Sequence, residues 1–378
     1  MEKDLNKNLV RKIITMHDPE DEDFLIKSLK ISGGRLIKRL PLVNGYLCEF
    51  PSEADFALAV RVDNDRIEID DDIEFRLCWF YNPYVPISKP IPKPIPAPPI
   101  YGTDRVGWGL RRIGAPQVWE KLKRRRVRVG IIDTGIDFNH PDLTESIRGG
   151  INTIDGFPPQ QFMDDYGHGT HIAGIIGATG RNARFFGINP YVDFYIVKAF
   201  DRRGKGNLSD IIEGLDWLFS NQVELINMSF STMETNNTFR RAIQYLDGKG
   251  VVLVAAAGND GGRNSVNYPG RFPEVIAVSA TDKQDRIASF SSTGPEVNFC
   301  APGVDIPSAW LNGQYKLKSG TSFAAPHISG IAADLLNYYG FLPPTKVKEM
   351  MASGAVKITH LGNEQQGLGI VELPRIIY

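Results

Sequence analysis

From Gly107 onward, short continuous apolar runs alternate with amphipathic stretches, and few folds accommodate that order. The runs cover 127–133, 194–199, 224–229, 251–257 and 275–280; stretches with helical spacing lie at 168–178, 209–221, 239–248 and 322–339. A strand that is apolar on both faces must be covered on both. Such strands separated by helices predict an α/β fold, a three-layer, doubly wound, mostly parallel sheet. Ligands of these sheets bind beyond the carboxyl ends of the strands. Asp133 ends the first run, Asn259 lies just past the run at 251–257, and His168 and Ser322 each open a helical stretch. The pattern directs all four side chains to one edge of one sheet.

The preceding residues form a different unit, since 378 residues exceed one ordinary core. Strands are expected at 9–16, 35–40, 45–50, 66–70 and 75–80, the last two closing a small sheet. Helices are expected at 21–30 and from Ser52 to Val60, where Asp55 follows Ser52 by three residues as a weak capping box. Over 83–99 proline recurs every two to four residues, so this stretch is extended, poor in donors and semi-rigid. The expected organisation is 1–82, a linker at 83–102, and a large domain at 103–378.

Composition removes several classes. The apolar fraction of 42% is that of a globular chain, and a net charge of -1 gives no global field toward nucleic acid or an anionic membrane. No window reaches the length of an apolar membrane span. Neither a nucleic-acid nor a membrane partner is expected. Cys48, Cys78 and Cys300 cannot complete a disulfide set, and the first ten residues carry Glu2, Lys3, Asp4 and Lys7 without an apolar stretch. Both observations lead us to expect a cytoplasmic protein. The basic residues between Lys121 and Arg128 read as a solvated turn, Asn227 and Asn236 match the glycosylation pattern, and His171 and His327 lack a third ligand at metal spacing.

Three motifs carry the chemistry. Asp133 lies in Val-Gly-Ile-Ile-Asp-Thr-Gly, His168 opens His-Gly-Thr-His-Ile-Ala-Gly, and Ser322 lies in Gly-Thr-Ser-Phe-Ala-Ala-Pro. A serine hydroxyl needs an adjacent base to act as a nucleophile; an imidazole supplies it, and a carboxylate fixes the tautomer. These motifs, in the order Asp, His, Ser, resemble those of the subtilisin-like serine proteases, the subtilases. The resemblance implies the subtilisin-like sheet and a ferredoxin-like propeptide over 1–82 that assists folding and then inhibits the enzyme from within.

It further implies a serine endopeptidase acting on polypeptides and made as a self-processing zymogen. Asn259, alone only a turn residue, becomes by resemblance the side-chain donor of the oxyanion hole. Substrate would add as a strand between Gly204-Lys205-Gly206 and Ser229-Phe230-Ser231, with Gly258 and Asn267 at the primary specificity pocket. Ser231 and Asn267, with Asp260 at the rim, make that pocket more polar than one built for large apolar side chains. Arg202, Arg203 and Lys205 could favour acidic residues upstream of the cut. The acidic residues from Asp63 to Glu74 either face helix N-termini of the protease or form a solvated face. Propeptide cleavage is expected within 76–82 or 100–104. Calcium is a possible cofactor, with Asp142 and Asp104 as candidate ligands. The rival reading is an inactive relative that binds a partner peptide.

Overall fold

A computed structural model of the chain describes residues 9–18, 21–60, 67–78, 106–123, 125–180 and 185–378. The linker at 83–102, the alternative cut at 100–104 and Asp104 lie outside the described residues.

The N-terminal elements are β1 (Val10–Met16), α1 (Glu22–Ser32), β2 (Arg35–Leu40), β3 (Gly45–Phe50), α2 (Glu53–Val60), β4 (Ile67–Asp71) and β5 (Glu74–Leu77). The first four strands form an antiparallel sheet in the order β2-β3-β1-β4, the ferredoxin-like arrangement. Ser52 starts α2 as expected, its hydroxyl accepting from the Asp55 N–H at 3.2 Å. One expectation fails. β5 does not close this sheet; it leaves it and pairs with strands of the large domain. Alternation over 74–77 specifies a strand with one buried face but not which edge receives it.

The large domain runs through α3 (Trp108–Arg112), β6 (Val127–Asp133), β7 (Ile147–Asn152), α4 (His168–Gly177), β8 (Val192–Lys198), β9 (Lys205–Asn207), α5 (Leu208–Ser220), β10 (Leu225–Met228), β11 (Phe230–Ser231) and α6 (Asn237–Gly248). It continues with β12 (Val252–Ala256), β13 (Ile276–Thr281), β14 (Val297–Pro302), β15 (Ile306–Trp310), β16 (Gln314–Lys318), α7 (Thr321–Tyr339), α8 (Pro344–Gly354), β17 (Ala355–Val356), α9 (Asn363–Gln366) and β18 (Ile370–Val371). Nine strands make one sheet in the order β17-β18-β14-β13-β12-β10-β6-β8-β7, parallel except for the β17–β18 pair. β6, β10, β12 and β13 are buried on both faces almost throughout, as their continuous apolar runs require.

The N-terminal unit and the large domain share apolar packing. Ile13, Leu40, Leu47, Phe75 and Leu77 are buried in one cluster with Phe200, Ile212, Leu215, Phe230 and Phe239. Polar contacts flank it. Asp72 accepts from the Ser209 N–H at 2.8 Å at the start of α5, and Asp70 from the Thr238 N–H at 2.8 Å at the start of α6. Each carboxylate caps a helix whose first N–H groups have no partner within the helix, a contribution of about 1 kcal/mol apiece. Lys38 reaches Asp210 at 2.7 Å, Asp155 at 2.8 Å and Glu213 at 2.9 Å. Burial alone would lower the Lys38 ammonium, but Asp210 and Glu213 outweigh it and hold it above its ordinary range. Part of the acidic run therefore faces helices of the large domain: of the two readings left open, Asp70 and Asp72 follow the first.

The basic residues near β6 are engaged internally. Arg125 pairs with Glu224, Arg126 with Asp193, and Lys123 lies 5.5 Å from the centre of the Tyr338 ring. Asn227 is fully buried, so it is no glycan acceptor in the folded chain, and Asn236 caps α6 through the Phe239 N–H at 3.0 Å. Among the described residues, no helix is long and apolar enough to cross a membrane.

Candidate active site

Asp133 is the last residue of β6, at the carboxyl edge of the sheet, and is fully buried. Both its carboxylate oxygens lie 2.8 Å from His168 Nδ1. An ionised carboxylate only accepts, so Nδ1 carries the proton and Nε2 presents its lone pair. The Thr134 N–H holds Oδ1 at 2.7 Å. α4 comes so close that a Cβ on Gly169 would lie 2.1 Å from the Gly135 carbonyl oxygen; only glycine fits there.

Asp164, absent from the sequence-based assignments, sets the start of α4. It accepts from the N–H groups of Tyr166 (3.0 Å), Gly167 (2.7 Å) and Thr170 (2.9 Å), and from the Thr134 hydroxyl at 2.8 Å. One buried carboxylate thus ties the loop after Asp133 to the helix carrying His168. An aspartate shortly before a helix start is a capping signal, and that was the available clue.

Ser322 lies in the first turn of α7 and is fully buried. Its helix start adjoins the imidazole: the ring of Phe323 is centred 5.2 Å from that of His168. Ser322 Oγ donates a short hydrogen bond to the Cys78 carbonyl oxygen, and the Ser322 N–H donates to the same oxygen at 3.2 Å. Among the described residues His168 Nε2 has no hydrogen-bond partner, so the expected serine–imidazole hydrogen bond is replaced here by the serine–carbonyl contact. Pro326 cannot donate to the Ser322 carbonyl four residues back. The Ser229 hydroxyl does so instead at 2.9 Å, held by Asn227 Nδ2 at 2.8 Å, while Ser329 donates to Asn227 Oδ1 at 2.8 Å. The missing N–H is thus compensated by a side chain from the neighbouring strand, a partnership invisible in the motif.

Asn259 follows β12. Its Oδ1 accepts from the Thr321 N–H at 3.0 Å and hydroxyl at 2.8 Å, fixing the amide. Its buried Nδ2 has no partner among the described residues. A fixed amide donor therefore remains available next to the start of α7.

β5 occupies the cleft. It pairs antiparallel with β9 on one side (Phe75 opposite Gly206, Arg76 opposite Lys205) and with β11 on the other (Leu77 opposite Phe230). The Leu77 N–H reaches the Gly204 carbonyl at 3.2 Å and the Cys78 N–H the Ser229 carbonyl at 3.3 Å. Both edges named from the sequence are thus paired with a peptide. Phe75 is fully buried, its ring centred 5.1 Å from Phe239 and 5.7 Å from Phe230, both edge-on. Cys78 follows, with Sγ 2.9 Å from Ser231 Oγ; Asn267 Nδ2 lies 3.5 Å from that oxygen and 2.5 Å from Asp260 Oδ2. Lys205 meets Glu74 at 2.8 Å and holds its carboxyl below the usual range. That pair is exposed and adds little; Arg202 and Arg203 are exposed beside it.

Two other buried histidines, His171 and His327, are structural. His171 Nε2 bonds the carbonyls of Lys316 at 3.0 Å and Ile306 at 3.1 Å, bracing the β15–β16 hairpin, and burial pushes its pKa down to about 3. His327 Nδ1 bonds the Phe323 carbonyl at 2.8 Å, and burial lowers it to about 4.

Asp142 is fully buried, but its carboxylate accepts a short hydrogen bond from the Tyr315 hydroxyl. Asn182 and the neighbouring arginines lie outside the described residues, among which no group of three or more His, Cys, Asp or Glu could hold a metal. Calcium needs several oxygens around one ion, and the loop that holds Asn182 lies outside the described residues. A chelator is expected to shift the melting temperatures of the wild type and Asp142→Asn equally. A shift confined to the wild type would place an ion at Asp142.

The profile of the subtilase family matches residues 124–369. The chain belongs to the subtilase family. Residues of this subtilase are 39% identical over 267 positions to the minor extracellular protease Epr of Bacillus subtilis (strain 168), covering 70% of this chain and 41% of that protein. They are 37% identical over 272 positions to the thermostable alkaline protease of Halalkalibacterium halodurans, covering 71% and 73%. Identity to subtilisin E of Bacillus subtilis (strain 168) is 36% over 273 positions, covering 71% and 70%. The chain is a subtilisin-like serine endopeptidase.

Proposed function

We propose that this subtilase is a self-processing zymogen whose first substrate is its own bond between Cys78 and Trp79. One observation carries the reading: the Cys78 carbonyl oxygen accepts from both the hydroxyl and the N–H of Ser322. Ser322 Oγ attacks the Cys78 carbonyl carbon while His168 Nε2 takes the hydroxyl proton, and Asp133 stabilises the imidazolium. The oxyanion is held by the Ser322 N–H and Asn259 Nδ2. Collapse breaks the C–N bond to Trp79, and His168 protonates the leaving amine. Water, deprotonated by His168, then attacks the ester and releases Ser322 and a Cys78 carboxylate.

The N-terminal unit stays bound after the cut as an inhibitor. Its contacts, the Phe75 aromatic pocket, the caps from Asp70 and Asp72 and the Lys38 ion cluster, all lie before Cys78 and do not depend on the cleaved bond.

N-terminal sequencing of the incubated chain tests the reading. A new terminus at Trp79 is expected; a chain that stays whole, or is cut elsewhere, would defeat it. Asn259→Ala should slow appearance of that terminus about a hundred- to a thousandfold, a size known for loss of this donor in subtilisin rather than derived for this chain.

A further inference from the structure

We infer that the primary specificity pocket of this subtilase accepts only a small side chain, Cys, Ser or Ala, immediately before the cut, and that Ser231 and Asn267 set this limit. The inference rests on the proposed reading of Cys78 as the residue at the scissile bond.

Cys78 is 3% exposed, so the pocket already encloses its short side chain. The pocket is filled from the protein side. Asn267 is 9% exposed and anchored through its backbone, its N–H to the Ala257 carbonyl at 2.9 Å and its carbonyl from the Arg271 N–H at 2.9 Å. Its amide abuts the opposite wall: a Cβ on Gly258 would lie 2.9 Å from Asn267 Nδ2. The same Nδ2 is held by Asp260 at 2.5 Å and lies 3.5 Å from Ser231 Oγ, which faces the Cys78 thiol at 2.9 Å.

A thiol or hydroxyl donates to Ser231 Oγ, and a methyl group fits without a partner. A benzyl or isobutyl group would have to push Asn267 away from Asp260 and bury an amide with no acceptor. The penalty thus comes from both volume and a lost hydrogen bond, which discriminates more strongly than volume alone. The aromatic pocket around Phe75 and the strand edges then supply the grip that a small residue at the cut cannot. The substrate class is polypeptides with an aromatic residue three positions before a small one, cut after the small residue.

The test uses the full chain, incubated and then separated from its cut N-terminal unit, and peptides carrying Phe-Arg-Leu, the sequence of 75–77, before a varied residue. With Ser, Ala or Cys at that position, kcat/KM is expected to exceed the value for Phe, Leu, Tyr or Lys by at least about tenfold. Equal or faster cleavage after Phe or Leu would overturn the inference. If that cleavage is lost in Ser322→Ala, the proposed function stands while the pocket assignment falls. No Ser322-dependent cleavage of any peptide, together with an uncut chain, would remove both. Three further variants locate the cause. Ser231→Gly combined with Asn267→Gly should raise Phe relative to Ala at least about tenfold, and an unchanged ratio would acquit these residues. Within the chain itself, Cys78→Ser should process at a rate comparable to the wild type and Cys78→Phe far more slowly; equal rates would again overturn the limit.

Discussion

The Ser322→Ala chain is expected to remain whole, with β5 still in the cleft, while the wild type acquires an N-terminus at Trp79. Removing the hydroxyl leaves the Cys78 carbonyl its bond from the backbone N–H of residue 322 at 3.2 Å, and none of the other docking contacts described above involves Oγ. Folding should therefore survive and chemistry should not. Turnover is expected to fall about a millionfold, the size seen for nucleophile removal in subtilisin itself and not one obtained for this chain. The uncut chain offers a second readout. Burial pushes the Cys78 thiol up to about 12, and the Cys48 and Cys300 thiols likewise to about 12. All three stay protonated at pH 8 and should resist alkylation in the folded variant. Rapid modification of Cys78 would mean that the strand does not occupy the cleft; processing of the variant would mean that Ser322 is not the nucleophile.

Asp133→Asn should lower kcat about ten-thousandfold, with little change in KM. The reason lies in which oxygen each neighbour uses. The Thr134 N–H donates to Oδ1 at 2.7 Å. The carbonyl oxygen of an asparagine would stay on that side and turn its NH2 group toward His168. The imidazole proton would then move to Nε2, leaving no lone pair to receive the proton of Ser322. Steady-state kinetics on a peptide with a small residue at the cut would measure this. A loss below tenfold would mean that the carboxylate does not select the tautomer.

The sheet was legible because buried parallel strands need continuous apolar runs, and the runs beginning at Val127 and Val251 are of that kind. β7 escaped notice because Arg148, Gly149 and Gly150 break the pattern at the sheet edge, where burial is incomplete. At the site, Asp133, His168, Ser322 and Asn259 stand in short local motifs, since each must leave a strand or open a helix at one edge. Their supports are dispersed. Nothing near Asn259 announces that Thr321 clamps its oxygen, and nothing near Asp142 that Tyr315 takes its carboxylate. The destination of β5 was hidden for the same reason: alternating side chains define a strand, whereas its partners, β9 and β11, lie far along the chain.

The buried hydroxyl–amide chain through Ser329, Asn227 and Ser229 has one further consequence. It bolts the middle of α7, the edge that receives the incoming backbone, and the carbonyl of the attacking residue into a single rigid piece. The gap between reactive atom and docking rail is thus a machined constant, not a jaw that tightens on its quarry. An enzyme of this construction sorts chains by whether they match a preset gauge, and broadening its diet would require recasting the gauge itself.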